Sequence, residues 1–289
     1  MKLEDYLKKN YAPKTVQNYL EDIKHYLNHQ GPEKAQQATY SDILDYIGHQ
    51  RKRNMSTGSL NRILQAIKKY YNYLNEIEVR TDHPCKHLYL KDRQSTDIQL
   101  QDLFTEEELQ LVLTRAKEKR RHKLYYRDQV IISLLIYQGL KNGELLNITT
   151  GNVDLEKGTI YISPTEKNNG RTLKLRVDQV LIFYNYLNEE RRILMRENHN
   201  TFIVTSLGTC PQERAMTHVI EQYKGFFPDR ELSTTKIRQS VIANKLKAGE
   251  DLRVVQAFAG HKKASTTEKY RQTDMEHFKS EIEKYHPLK

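Results

Sequence analysis

Residues 252–270, LRVVQAFAGHKKASTTEKY, constrain the fold more than any other stretch of the chain. They join an apolar helical pattern, a Gly-His pair, a basic loop and a second helix start. Gly260 is typical of a helix stop. The apolar positions before it recur at helical spacing, which predicts one face packed on a core. These positions are Leu252, Val255, Phe258 and Ala259.

The second helix start follows the basic loop. Ser265 and Glu268 fit an S-x-x-E capping box, which predicts a short helix from Thr266. On that register Tyr270 lies in the second turn of the helix. His261 lies just before the loop that is predicted to fold the two helices together.

A further helix is predicted upstream, in LSTTKIRQSVIANKLKAGED, with Arg238 near its beginning. Together the two stretches resemble the C-terminal signature of the tyrosine recombinases, the lambda-integrase and Xer group. The resemblance implies a mainly α-helical chain that cuts and rejoins DNA strands. The matching positions, in order and spacing, are Arg238, Ala248-Gly249, Asp251-Leu252-Arg253, Gly260-His261, Ser265-Thr266-Thr267 and Tyr270.

Composition fits such a chain. Its 289 residues predict about two domains. Lys and Arg number 47 against 37 Asp and Glu, and the net charge of +10 suits a polyanionic partner. Cys85 and Cys210 offer neither a disulfide framework nor zinc spacing. The N-terminus has no apolar signal core, and the run Val130–Tyr137 is too short to span a bilayer. We therefore expect a soluble cytoplasmic protein with no membrane partner.

Residues 1–88 show successive amphipathic helical patterns, with Ser41 and Ser59 as candidate caps. They look like the SAM-like core-binding domain of the same recombinases, which clamps one side of a DNA duplex. A basic run between two of the helices predicts phosphate contacts. Its members are Arg51, Lys52 and Arg53.

Residues 89–103 are polar and without helical period, which predicts an interdomain linker. Residues 104–289 then resemble the catalytic domain. Segments 158–163 and 171–177 alternate like strands and predict a small antiparallel sheet with a turn at 168–170. A helix is expected around 178–195 and a tail helix at 274–285, while 200–232 has no assignment.

The chemistry implied by the resemblance is attack of a tyrosine hydroxyl on a backbone phosphorus, which conserves bond energy in a phosphotyrosyl link without metal or cofactor. Tyr270 is the expected nucleophile. Arg238 would grip two phosphate oxygens, His261 would bind phosphate or take the tyrosine proton, and Lys167 would protonate the leaving 5′ oxygen. Further DNA contacts are expected from Lys236, Arg171 and Arg253.

Two positions depart from the family pattern. Lys141 stands where Gly-Leu-Arg has its arginine, and lysine lacks the bidentate fork. Thr235 replaces the histidine three residues before Arg238, and it carries no charge. Three functions remain open: an active recombinase or transposase, a non-catalytic DNA-binding accessory protein, and a type IB topoisomerase-like nicking activity. The resemblance implies duplex DNA with inverted-repeat core sites as substrate, and a homotetramer assembled on it.

Overall fold

The computed structural model describes residues 1–90, 98–118, 123–196 and 198–271. The chain divides into two compact units, Met1–Thr96 and Asp97–Lys289, and the division falls within residues 89–103. The expected tail helix at 274–285 lies outside the described residues. Within the described ranges, none of the helices combines the length and the apolar character that crossing a bilayer requires.

The first unit is a helical bundle whose core contains several tyrosines. The hydroxyl groups of Tyr26 and Tyr71 lie 2.7 Å apart, and Tyr71 donates to the carbonyl oxygen of Ala35. These bonds satisfy phenol groups that are otherwise enclosed by the apolar core of the unit, as buried polar groups require. The helices are α1 (Leu3–Asn10), α2 (Pro13–Gln30), α3 (Pro32–Gln37), α4 (Tyr40–Lys52) and α5 (Thr57–Glu76).

The helix caps of this unit differ from those expected. Thr39, not Ser41, caps α4, because its hydroxyl accepts the Asp42 N–H while the Asp42 carboxylate accepts the Thr39 N–H. Ser56, not Ser59, caps α5, since its hydroxyl accepts the Ser59 N–H at 3.3 Å. Each helix therefore begins earlier than its expected cap, and the nominal cap residue lies in the first turn.

The second unit is built around α7 (Tyr125–Tyr137), whose side chains are buried on almost every face. Helix α9 (Val177–Asn185) continues through a π-helical turn, Tyr186–Glu190, into α10 (Arg191–Leu194), which gives one nearly continuous helix where 178–195 was expected. The segment without assignment contains α11 (Glu213–Glu221). The helices are α6 (Glu106–Glu118), α7 (Tyr125–Tyr137), α8 (Asn142–Leu146), α9 (Val177–Asn185), α10 (Arg191–Leu194), α11 (Glu213–Glu221), α12 (Thr234–Lys247), α13 (Leu252–Ala259) and α14 (residues 264–271).

A small antiparallel sheet lies beside these helices, as expected, in the order β1-β2-β3. Strands β2 (Thr159–Ile162) and β3 (Arg171–Lys174) are shorter than the alternating pattern, and a short β1 (Val153–Asp154) was not expected. Ile162 pairs with Arg171, so residues 163–170 form the loop of the hairpin.

Helix α14 begins at residue 264, two residues before the expected start, with the Thr266 N–H donating to the carbonyl oxygen of Lys263. Ser265 therefore lies in the first turn and is not the cap. The end of the expected linker also belongs to this unit, because Leu103 is buried and packs in a cluster with Tyr270. Backbone groups of Phe104 bond to Ser240 and Asn244 of α12 and fix this segment.

Candidate active site

Glu144 of α8 anchors the charged cluster of the second unit. Its side chain is 2% exposed and accepts two hydrogen bonds from the Arg171 guanidinium, at 2.8 and 3.0 Å. It also accepts the backbone N–H of Lys141 at 3.0 Å. Burial alone would raise the pKa of Glu144, but the bonds and charge of Arg171 outweigh it, so the pKa lies below its usual value. The carboxylate is therefore ionised and holds β3 to α8.

Arg238 lies in the first turns of α12 and is 6% exposed. Its guanidinium donates to the carbonyl oxygens of Gly139, at 2.6 Å, and Ala259, at 2.5 Å. One nitrogen lies 3.6 Å from the Glu144 carboxylate. These acceptors come from the ends of α7 and α13, so three separate chain segments fix the orientation of the planar group.

His261 follows α13 and contacts Arg238 directly, with the two nitrogen atoms 3.3 Å apart. Arginine has no acceptor, so Nε2 of the imidazole must be the acceptor and Nδ1 carries the proton. Nδ1 then donates to the hydroxyl of Thr267 at 2.9 Å. Burial first, and then the charges of Arg238 and other cations, lower the pKa of His261 to about 4. The ring is therefore neutral near pH 7.

Gly260 makes the close approach of these groups possible. It has φ +70°, in the left-handed region that favours glycine, and it ends α13. A Cβ atom at this position would lie 2.6 Å from the Arg171 guanidinium and 3.0 Å from the carbonyl oxygen of Asn169. Gly260 of the Gly-His pair thus ends the helix and leaves room for the Arg171 guanidinium to pack against it.

Lys141 is half-buried, and its ammonium donates to the side-chain oxygen of Asn168 at 2.8 Å. Asn168 forms an isolated β-bridge with His261, and the Asn169 N–H donates to the carbonyl oxygen of Gly260 at 2.9 Å. The hairpin loop is thereby docked on the Gly-His segment. Lys167 lies in this loop with an exposed side chain, next to Asn168.

Tyr270 lies on α14 and is only 7% exposed. It belongs to an apolar cluster that includes Leu103, Ile242 and Val255. Burial raises the pKa of its phenol, and the charge of Arg238 acts in the opposite direction. The phenol of Tyr270 therefore lies close enough to Arg238 for an electrostatic interaction, but its ring is enclosed by aliphatic side chains.

The side chains expected to contact DNA occupy different environments. Thr235 is exposed, one turn before Arg238 on α12. Lys236 is partly buried and forms an ion pair with Asp102 at 3.1 Å. Arg171 is buried and forms a bidentate pair with Glu144, so its expected DNA contact stays a prediction.

Arg253 is exposed at the beginning of α13 and donates to the side chain of Gln256 at 3.2 Å. In the first unit, the basic run at the end of α4 consists of exposed residues. Its members are Arg51, Lys52 and Arg53.

Three residues that organise the site had no assigned role in the sequence: Glu144, Asn168 and Thr267. Glu144 matches the glutamate of the family's Gly-Leu-Arg-x-x-Glu-Leu motif, which was a usable signal, and a buried carboxylate requires a partner. Thr267 belongs to the Ser-Thr-Thr motif, but only its contact with His261 reveals its function. Nothing in the sequence distinguishes Asn168 from an ordinary exposed turn residue.

Comparison with known proteins gives the family. Residues 102–277 match the phage integrase family, and residues 2–76 match the phage integrase N-terminal SAM-like domain. The chain is 26% identical over 281 residues to the tyrosine recombinase XerA of Thermococcus kodakarensis, covering 94% of this chain and 89% of XerA.

The tyrosine recombinase XerC of Lacticaseibacillus casei is 25% identical over 240 residues, covering 82% of this chain and 78% of XerC. Among solved structures, the XerH site-specific recombinase bound to palindromic difH substrate in a post-cleavage complex superposes with a TM-score of 0.73. That alignment has 16% identity and covers 96% of this chain and 84% of XerH. With a catalytic-domain match that spans more than half of its length, this chain belongs to the phage integrase family of tyrosine recombinases.

Proposed function

We propose that this protein is a site-specific DNA recombinase, of integrase, resolvase or transposase type, that acts through a covalent 3′-phosphotyrosyl intermediate. The observation that carries the proposal is the convergence of Arg238, His261 and Lys141, from separate elements, on one buried cluster beside the helix of Tyr270. Membership of the phage integrase family gives this convergence its chemical meaning.

In the proposed reaction the Tyr270 oxygen forms a bond to the scissile phosphorus, and the bond from phosphorus to the 5′ oxygen breaks. The phenol proton passes to Nε2 of His261, which is unprotonated in the neutral ring and gives up its hydrogen bond from Arg238 in this step. Lys167 gives a proton to the departing 5′ oxygen. Attack by a 5′ hydroxyl of a second strand then reverses these steps and restores the tyrosine, so no energy cofactor is consumed.

Cations would stabilise the negative charge that develops on the phosphate oxygens. Arg238 is held by main-chain carbonyls, which need not move during the reaction. Lys141 supplies a point charge in place of the family arginine, and Thr235 supplies a neutral donor. Exposed basic residues on both units, including Arg253 and Lys52, would hold duplex DNA. The proposed substrate is DNA with inverted-repeat core sites, bound by a homotetramer.

A second candidate is an accessory protein that binds DNA without cutting it. It is favoured by the enclosure of Tyr270 and by the two substituted positions. The two functions differ in whether a covalent adduct forms, because both require DNA binding but only one requires the phenol oxygen.

The test uses duplex sites that the protein has first selected from random DNA, with a nick placed so that strand rejoining is prevented. We expect wild-type protein to accumulate an adduct that resists denaturation, and Tyr270→Phe to form none while binding the same DNA. Tight DNA binding by wild-type protein without any adduct would exclude the recombinase proposal and favour the accessory role.

A further inference from the structure

Asn168 differs from every other residue of the hairpin loop. Residues 163–167, 169 and 170 are exposed, whereas Asn168 is 6% exposed. Its N–H donates to the Thr165 hydroxyl, and its carbonyl oxygen accepts the Thr165 N–H at 2.9 Å, so the backbone is fixed within the loop. The side-chain oxygen of Asn168 accepts a hydrogen bond from the Lys141 ammonium at 2.8 Å. A buried amide in an otherwise solvated loop indicates a specific role.

Lys141 depends on such a partner because Glu144, the carboxylate that attracts it, is already paired with Arg171. Both oxygens of the Glu144 carboxylate are engaged by Arg171. The charge of Arg238 repels the ammonium, as do the other cations of the cluster. A lysine ammonium sits on a flexible stem and has no fork to fix its direction, unlike the arginine that the family has here. The Asn168 oxygen supplies the missing constraint.

The neutrality of Asn168 is as important as its position. A carboxylate would attract the lysine more strongly, but its negative charge would oppose the binding of a phosphate at the same place. The amide oxygen occupies one of the three ammonium donors and leaves the positive charge uncancelled. The backbone of the same residue pairs with His261, so the loop aligns the lysine with the histidine.

We propose that Asn168 is a positioning residue that orients the Lys141 ammonium toward the scissile phosphate and so allows a lysine to replace the family arginine. This inference rests on the proposed recombinase function. Asn168 acts only through Lys141, so its effect should disappear when the lysine is absent.

The first test measures single-turnover adduct formation on the selected, nicked duplex. Asn168→Ala should slow the reaction by roughly 10- to 100-fold, with DNA affinity within about threefold of wild type, since a hydrogen bond to a charged group is lost. The matched control is Asn169→Ala, whose side chain is exposed and whose N–H to Gly260 is retained. In a Lys141→Ala background, Asn168→Ala should add less than about threefold. The proposal would be overturned if Asn168→Ala slowed adduct formation as much in the Lys141→Ala background as in wild type, or if Asn168→Ala alone left the rate unchanged.

The second test measures how the activity depends on the protonation of Lys141. Burial, and then the charge of Arg238, lower the pKa of Lys141. Lysine must be protonated to act as a cation, so loss of its acceptor in Asn168→Ala should move the alkaline limit of activity to lower pH. Asn168→Asp should move that limit to higher pH and still react slowly at neutral pH, because it opposes the phosphate. The charged and titratable groups facing Lys141 are Arg238, Glu144, Arg171, Lys167 and His261.

An NMR titration of the full chain with ¹³Cε-labelled lysine needs no DNA and separates the two hypotheses. If wild-type protein forms no adduct, the recombinase proposal fails, while the titration still reports on the pair. We expect the Lys141 midpoint to fall in Asn168→Ala, to rise in Asn168→Asp, and to stay at the wild-type value in Asn169→Ala. An unchanged midpoint in both Asn168 variants, with wild-type thermal unfolding, would refute the role of Asn168.

Discussion

Replacing Glu144 with glutamine should destabilise the second unit strongly, although the side-chain shape is almost unchanged. Each carboxylate oxygen accepts from an N–H donor: one from Arg171, the other from Arg171 and from the Lys141 backbone. In either orientation the glutamine NH₂ group would face one of these donors. The buried guanidinium of Arg171 would also lose its counter-charge.

The expected size follows from the burial of the pair. The exposed side-chain fractions are 6% for Arg171 and 2% for Glu144, so solvent does little to screen or replace the lost charge. Removing one partner of a buried pair costs about 3–5 kcal/mol. For a domain of this size, about 1 kcal/mol changes the melting temperature by about 2–4 °C, which gives a decrease of roughly 6–20 °C.

The matched control is Glu108→Gln. Glu108 pairs with Arg230 in the same unit, but both side chains are more than a quarter exposed. Glutamine can also replace Glu108 in its capping box with Thr105. We expect the control to cost about 1 kcal/mol or less. The assay is urea and thermal unfolding of the full chain, with hydrogen exchange of β3 and α12 to assign the loss to the site. Equal losses in the two variants would refute the reasoning.

The same variant predicts a pH dependence with a definite sign. The pKa of Glu144 is lowered on folding, so its stabilising contribution is present above the unfolded value of about 4.3 and is lost as pH falls through the folded value. The stability difference between wild type and Glu144→Gln should therefore be largest near pH 7 and should narrow in acid. A constant difference from pH 7 to pH 3 would contradict the assigned charge state.

Two further predictions concern other charged groups. The pKa of His261 is about 4 in the folded protein, below its unfolded value of about 6.5. The free energy of unfolding should therefore decrease by up to about 1.4 kcal/mol per pH unit as the pH falls from about 6.5 to about 4. NMR should show a neutral ring at pH 6, and His261→Gln should remove this part of the pH dependence; a ring titrating near 6.5 would contradict the geometry. Asp102→Asn should free Lys236 and raise DNA affinity a few-fold with a steeper salt dependence, measured by fluorescence anisotropy. Lys236→Ala should do the opposite, and an unchanged salt slope in both would exclude a phosphate contact.

Much of the architecture could be predicted because it rests on local patterns. The helical spacing of the apolar residues around Val255 and the stop at Gly260 correspond to α13 and its end. The alternation in segments 158–163 and 171–177 corresponds to β2 and β3. Helix starts were less predictable because several hydroxyl residues lie near each boundary, and the choice of Thr39 over Ser41 depends on which one reaches a free N–H.

The site could be predicted only where a residue belongs to a recognised motif. The spacing that places Arg238 and His261 in one signature corresponds to a direct contact in the structure. The pairing of Arg171 with Glu144 was not accessible, because it joins a hairpin to a helix 27 residues away and depends on tertiary packing. For the same reason an exposed phosphate contact and a buried ion pair could not be distinguished for Arg171 from its sequence position.

The enclosure of Tyr270 sets the condition under which the proposed chemistry can operate. A phenol with a raised pKa among Leu103 and Val255 is a poor nucleophile, and in-line attack requires the oxygen to leave that cluster. The segment that contributes Leu103 is held to α12 by the bonds of Phe104 to Ser240 and Asn244 and by an ion pair between Asp102 and Lys236. A phosphate that competed for Lys236 would weaken this attachment at the same time as it bound the protein. DNA binding would then lower the free-energy cost of releasing the tyrosine by the contribution of this ion pair, while the bonds of Phe104 to α12 still oppose release.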